Sequence, residues 1–266
     1  SQGDALIRSG GIDNTAGAIV AETHIGILGA GTDSVLDNTR GTVTAGGSLE
    51  VAVSRVLNPL GTLLAGKSLS VTADSLGGDG SLLSKGDLSL ILQQDFTNLK
   101  EITANGRARI STAGLLTNRG LLRAGDLEAR GVNVDNTATG EMSAGRATVV
   151  ARDTLANRGL IDGGQARIEA GTLDNVGTGR IHGDRLAIKG GTVNNREEGG
   201  RAAVIAARGR LDIGASTIDN REHALIFSAG GGSDALNIGG SLDADAQAAG
   251  RASLILNDSA TIGSLG

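Results

Sequence analysis

The sequence predicts an all-β fold, a right-handed parallel β-helix (solenoid) of about 12 coils with roughly 20 residues per coil. Three observations predict it. An Asn recurs about every twenty residues, and each one follows a large apolar residue by two places. Between successive Asn residues the apolar positions alternate with a period of two, the mark of half-buried strands. Glycine supplies 44 of 266 residues and interrupts every window long enough to nucleate a helix.

The Asn column consists of Asn14, Asn38, Asn58, Asn98, Asn118, Asn136, Asn157, Asn175, Asn195 and Asn220, with Gly78 filling the one gap. From Asn14 to Asn220 it spans ten intervals and 206 residues, a mean of 20.6. Two places before its members stand Ile12, Leu36, Val56, Leu76, Phe96, Leu116, Val134, Leu155, Leu173, Val193 and Ile218. At 39% apolar content, such a run arises by chance about once in 30,000 trials. Amides repeated at one corner of a stack can hydrogen-bond along it.

The strands follow from the alternation. Leu49, Val51 and Val53 share one face. Leu69/Val71, Leu88/Leu90, Ile110, Leu127, Val149, Ile168, Leu186/Ile188 and Leu211/Ile213 hold the same place later. Gly46, Gly66, Gly86 and Gly106 separate two such strands, and Gly125, Gly145 and Gly183 continue that column with small slips. A positive φ is expected at these corners, because Gly adopts it without steric cost.

A single coil cannot fold alone. Ordering about twenty residues costs on the order of 20–40 kcal/mol of backbone entropy. Five or six inward aliphatics return only about 1.5–3 kcal/mol each. Neighbouring coils must therefore pair every strand, which makes stability a nearest-neighbour property. At a spacing of about 4.8 Å, twelve or so coils would stack to roughly 60 Å.

The repeats are regular over residues 12–220 and irregular over residues 221–266. Intervals of 24 and 25 residues, Asn14 to Asn38 and Asn195 to Asn220, imply excursions near His24–Asp33 and Glu197–Arg210. No linker interrupts the chain, so one β-helical segment over residues 1–266 is expected. Neither end reads as a polar cap, which suggests a segment of something longer.

Leu36–Val53 (LDNTRGTVTAGGSLEVAV), Val56–Ala73 (VLNPLGTLLAGKSLSVTA) and Leu116–Arg130 (LTNRGLLRAGDLEAR) resemble the filamentous haemagglutinin repeat, LxNxxGxLxAGGxLxLxA. The resemblance covers roughly Ile12 to Asn220 and departs at Gly78 and after Asn220. It implies a segment of a large exoprotein of bacterial two-partner secretion, a group that includes filamentous haemagglutinins and effectors of contact-dependent growth inhibition. Such a segment would leave the cell unfolded through an outer-membrane two-partner-secretion transporter and fold at the bacterial cell surface or as a secreted filament. Its role would be that of a rigid stalk presenting distal adhesive or toxin-delivery regions to other cells. One alternative is an adhesin segment that binds a cell-surface receptor or glycan on a target cell. Another is a β-helical polysaccharide lyase or hydrolase. The composition suits export: with no Cys there are no disulfides to lock the chain before it crosses.

Composition also removes other classes. With Pro at 1 and no Gly-X-Y period, the chain is not collagenous. Its aliphatic content is too high for disorder. The longest wholly apolar run, Ala202–Ala207, is too short for a helix to insert in a membrane. A net charge of −5 is no footprint for nucleic acid. No cofactor is expected.

Several motifs imitate chemistry. Gly61–Ser68 (GTLLAGKS) matches a phosphate-binding loop, but that loop needs a following helix and Leu69–Val71 alternates like a strand. Gly26–Gly31 (GILGAG) fails as a dinucleotide fingerprint for the same reason. Asp13, Asp37, Asp135, Asp174 and Asp219 precede Asn residues of the column and could pair as acid and base across coils. Recurrence with the corner favours local turns instead, and the absence of Trp and Tyr removes flat surfaces for sugar stacking. His24, His182 and His223 fall in different coils without Cys, so no zinc set converges. Gly77–Gly80 (GGDG) resembles one calcium nonapeptide but does not repeat. No catalytic residue is expected, and the chain reads as a non-enzyme.

Charge is unevenly spread. Residues 101–221 carry 17 basic and 14 acidic side chains, whereas residues 1–100 carry 6 and 10. Arg119, Arg158, Arg196 and Arg221 follow the Asn column and form a basic stripe that could meet an anionic partner. The interleaved Glu197, Glu198 and Glu222 argue for a solvated edge instead.

Overall fold

The structure, a computed structural model, describes residues 3–265. Its regular structure is entirely β, with no helix among the described residues. The strands wind into about eleven turns of roughly twenty residues. Two compact units result, one running to Gly131 and the other starting at Val132, and each is a parallel β-solenoid.

In the first unit each coil has three strands. A longer strand, such as Ser48–Ala52 or Ser68–Ala73, is followed by a three-residue strand, Arg55–Leu57 or Ser75–Gly77, and then by a four-residue strand, Thr62–Ala65 or Ser81–Ser84. Identical faces stack. Leu49, Leu69, Leu88 and Ala108 lie in one register column, and Val51, Val71, Leu90 and Ile110 in the next. Val43, Leu63, Leu82, Ile102 and Leu122 line the third side. All of these are buried. Alternation thus becomes a core because the side-chain period of two points every second residue inward, and each inward residue touches its own counterparts above and below.

In the second unit the strands run longer, from Glu141–Asn157 through Leu160–Val176 and Arg180–Glu198 to Val204–Arg221. Each wraps most of a coil. Met142, Ile161, Ile181, Ile205 and Ile226 stack in register, as do Val149, Ile168, Ile188 and Ile213. Apart from Met142, the apolar core of this unit is aliphatic.

The corner glycines correct one expectation. Positive φ occurs at Gly31, Gly78, Gly177, Gly199, Gly200 and Gly250, but at none of Gly46, Gly66, Gly86 or Gly106. Close approach, not handedness, selects Gly there. A Cβ on Gly66 would lie 2.0 Å from the Gly46 carbonyl oxygen, which no side chain tolerates.

The longer intervals are local insertions. The 25-residue interval holds a hairpin in which Glu197 and Glu198 pair antiparallel with Ala202 and Arg201. Gly199 and Gly200 form its turn with φ of 62° and 77°, the two positive values a type I′ turn demands. A second hairpin, Ser241–Leu242 with Ala248–Ala249, occupies the irregular tail. The ladder rung beyond it is Asn257, directly above Asn220.

Candidate functional site

The most ordered polar feature is the Asn column, and its geometry starts with a turn. Asn14, Asn38 and Asn58 each accept, through the backbone carbonyl, a hydrogen bond from the amide three residues on, at Gly17, Gly41 and Gly61. Ala16, Arg40 and Leu60, the third residues of these turns, have φ of 52°, 54° and 56°. A hydrogen-bonded turn with positive φ at its third residue is type II, which also suits Pro59 at the second place. Asp13 and Asp37 sit one rung apart in register, and each Oδ1 accepts from the amide two residues on, Thr15 and Thr39, at 2.9 Å. Hydrogen bonding from Thr15 holds the Asp13 carboxyl below the usual carboxylate range. Both carboxylates are thereby engaged by their own turns.

Inside the turn, each Asn side chain is buried. In the first unit the Nδ2 of Asn14 donates to Asn38 Oδ1 at 2.7 Å, Asn38 to Asn58 at 2.7 Å and Asn98 to Asn118 at 2.8 Å. In the second unit the chain of donation runs from Asn136 through Asn157, Asn175, Asn195 and Asn220 to Asn257, every step 2.8 Å. The same Nδ2 also reaches a backbone carbonyl beyond the next turn, as from Asn14 to Thr42 at 3.2 Å and from Asn175 to Val204 at 3.1 Å. One amide therefore brackets the whole turn of the following coil. Such a buried network ties register to chemistry, since a slipped coil would orphan its amide.

The arginines that follow the column do not stand free. Arg158 makes two hydrogen bonds to the Glu198 carboxylate, at 2.6 and 2.8 Å. This pair holds Glu198 below its ordinary range and raises Arg158. Arg196 meets Asn194 Oδ1 at 2.8 Å and Asp219 at 3.1 Å, and Arg221 meets Asp219 at 2.5 Å. Arg119 lies in the first unit, its amide donating to the Asn98 carbonyl at 2.9 Å. In the second unit the edge is a run of ion pairs rather than an unmatched basic stripe.

The motifs resembling catalytic or ligand sites resolve into ordinary coils. The Gly61–Ser68 segment is strand Thr62–Ala65, a corner, and the start of strand Ser68–Ala73. Gly26–Gly29 lies within strand Ile25–Gly29. Among the described residues no three His, Cys, Asp or Glu side chains are grouped to hold a metal ion, and no helix is long and apolar enough to cross a membrane.

Sequence reasoning missed one surface. On the outer face of the second unit, Arg146, Arg167, Arg185 and Arg210 line a cavity of about 460 Å³ closed at one end by Asp245–Gln247. Arg146, Gln165, Arg185 and Arg210 occupy one register column. Reading the outward column as carefully as the inward one would have shown the arginines, though not the hairpin that encloses them.

A family model described as a haemagglutinin repeat matches the chain six times, over residues 1–52, 28–88, 44–120, 121–177, 142–215 and 198–232. No curated protein and no solved structure matches the chain.

Proposed function

The chain belongs to the haemagglutinin repeat family, and from that membership we propose that it is a stalk segment of a large bacterial exoprotein, a spacer that holds distal adhesive or toxin-delivery regions away from the producing cell. Export through an outer-membrane partner of two-partner secretion, with folding at the cell surface, belongs to the same proposal. The observation that carries it is the ladder. Buried Asn–Asn hydrogen bonds joining successive coils, on top of parallel strand pairing, put nearly every polar group of the interior to structural use. What remains outside is a repetitive surface whose arginines along the Asn edge of the second unit are paired with carboxylates.

A second reading, direct contact with a receptor or glycan, draws support from one feature. The Glu197–Ala202 hairpin leaves the coil path and carries Gly199 and Gly200 exposed at its tip. A catalytic reading draws none, because Asp13 and Asp37 are bound by their own turns. Removing whole coils from this segment of the parent exoprotein distinguishes the first two. A spacer loses reach in proportion while surface display and target binding persist. Competition of target-cell binding by the isolated chain, abolished by deleting residues 197–202, would replace the spacer with the receptor reading.

A further inference from the structure

The outer face of the second unit carries a trough that a spacer does not need. On successive coils one outward position holds Arg146, Gln165, Arg185 and Arg210, and the next holds Thr148, Arg167, Ala187 and Asp212. Rungs lie about 4.8 Å apart. The Ser241–Ala249 hairpin folds back onto the last of these coils. Arg210 donates to Asp212 at 2.6 Å and to Gln247 Oε1 at 3.0 Å, while the Ala248 amide donates to Asp212 Oδ1 at 3.0 Å. Beneath it the sheet is stripped to glycine: a Cβ on Gly214 would lie 2.2 Å from the Ser241 carbonyl carbon. This face therefore already seats two short strands of its own chain, Ser241–Leu242 and Ala248–Ala249, and the turn that joins them carries Asp243 and Asp245.

The same surface continues uncovered beside the hairpin. Ala170, Gly171, Gly190 and Gly191 prolong the small-residue track along a second cavity of about 410 Å³. Arg167 and Arg210 are balanced by Glu169 and Asp212. The side chains of Arg185 and Lys189, which flank the two cavities, have no ion-pair or hydrogen-bond partner among the described residues. Unmatched cations thus line a track shaped for close backbone approach.

We propose that this trough binds an extended acidic peptide segment of a partner protein. Its backbone lies on the small-residue track and its carboxylates pair with Arg185 and Lys189, as the Asp243–Gln247 loop already occupies the neighbouring rung. Peptide fits better than polysaccharide because the seated hairpin is itself backbone against glycine, and with Trp 0 and Tyr 0 the chain offers sugars little to stack on. The inference is independent of the spacer role.

The test is fluorescence anisotropy of a short labelled alternating Asp–Ala peptide against the full chain, beside a Lys–Ala control and a labelled sulfated polysaccharide. The variant is Arg185→Gln with Lys189→Gln, two exposed side chains whose replacement should leave the circular dichroism and melting unchanged. Saturable binding of the acidic peptide is expected, weakening as salt rises and falling about tenfold or more in the double variant. Absence of saturable binding, equal binding of the Lys–Ala peptide, or unchanged affinity in the variant would overturn the proposal. Binding of the polysaccharide alone, lost in the variant, would overturn it in favour of a glycan site.

Discussion

Asn58 is the ladder residue whose amide goes unanswered: its Nδ2 is buried without a partner, because the next rung is Gly78. No side chain could fill that rung. Gly78 has φ of 105°, and a Cβ there would lie 2.5 Å from the Pro59 nitrogen. The fault makes two chemically identical substitutions unequal. Asn38→Ala removes the acceptor of Asn14 and the donor to Asn58 and Thr62, leaving buried groups orphaned, and should cost about 2–3 kcal/mol. Asn58→Ala gives up the bond from Asn38 and takes an orphan donor away, and should cost about 1 kcal/mol. Denaturant titration of the two variants measures the gap, and equal costs would show that the ladder is decorative. His182 gives a second residue-scale expectation. Burial lowers its pKa, with Arg208 and Arg180 adding to the shift and Asp162 opposing it. As pH falls below about 6.5, the unfolded chain takes up this proton before the folded one. Stability should therefore be intact above that value and decline below it until the lowered folded pKa is reached. A His182→Asn variant should lose less on acidification, read from melting temperatures across that range, and parallel curves for the two proteins would dismiss the effect.

At the scale of the strand and its corner, glycine acts by letting backbones touch. Gly66 sits over Gly46, and its amide donates to the Ala45 carbonyl at 2.9 Å while its missing Cβ makes room for the Gly46 carbonyl. Gly66→Ala should cost about 3 kcal/mol or more, since the obstacle is backbone and cannot rotate away. Gly199→Ala, at a hairpin tip with open space around it, should cost only the strain of its positive φ, about 1 kcal/mol. Thermal melts that ranked these two the other way would refute the close-approach argument. The same contrast marks what could be read in advance. Leu116 over Phe96 and Val134 under Leu155 were legible because an inward position must be apolar in every coil. Arg40 and Leu60 gave no sign of their positive φ, because the fixed partners of the turn, not the residue, impose it. The reason for the Gly66 column was misread, since a sequence shows that a Cβ is absent but not which atom takes its space. The arginine trough was invisible for a different reason. Its closing wall, Asp245–Gln247, comes from far along the chain, and no periodicity links it to Arg146.

At the scale of the whole molecule, a solenoid measures change in coils rather than in residues, and this yields an unusual expectation. Deleting residues 39–58 from the first unit removes one complete repeat and joins Asn38 to Pro59. Ile25 and Ile27 then face Leu69 and Val71, their counterparts two coils on, and Leu36 faces Leu76. Every inward column stays apolar, every remaining strand keeps as many parallel neighbours as it had, and the turn at Asn38 still ends in Pro59-Leu60-Gly61. Deleting residues 39–48 removes half as much but excises the Gly41 turn and strand Thr42–Ala45, leaving Asn38 to run straight into strand residues Leu49–Ala52. The coil cannot close, and both neighbours lose a partner. In a globular core the shorter deletion is ordinarily the milder. Here the longer one should retain a cooperative melt and a strand-type circular dichroism spectrum, with its denaturant dependence reduced by about one coil's buried surface. The shorter one should lose cooperativity or aggregate through its unpaired edges. If the ranking were reversed, stability would not reside in coil-on-coil contacts, and the physical basis for a spacer built by repetition would go with it.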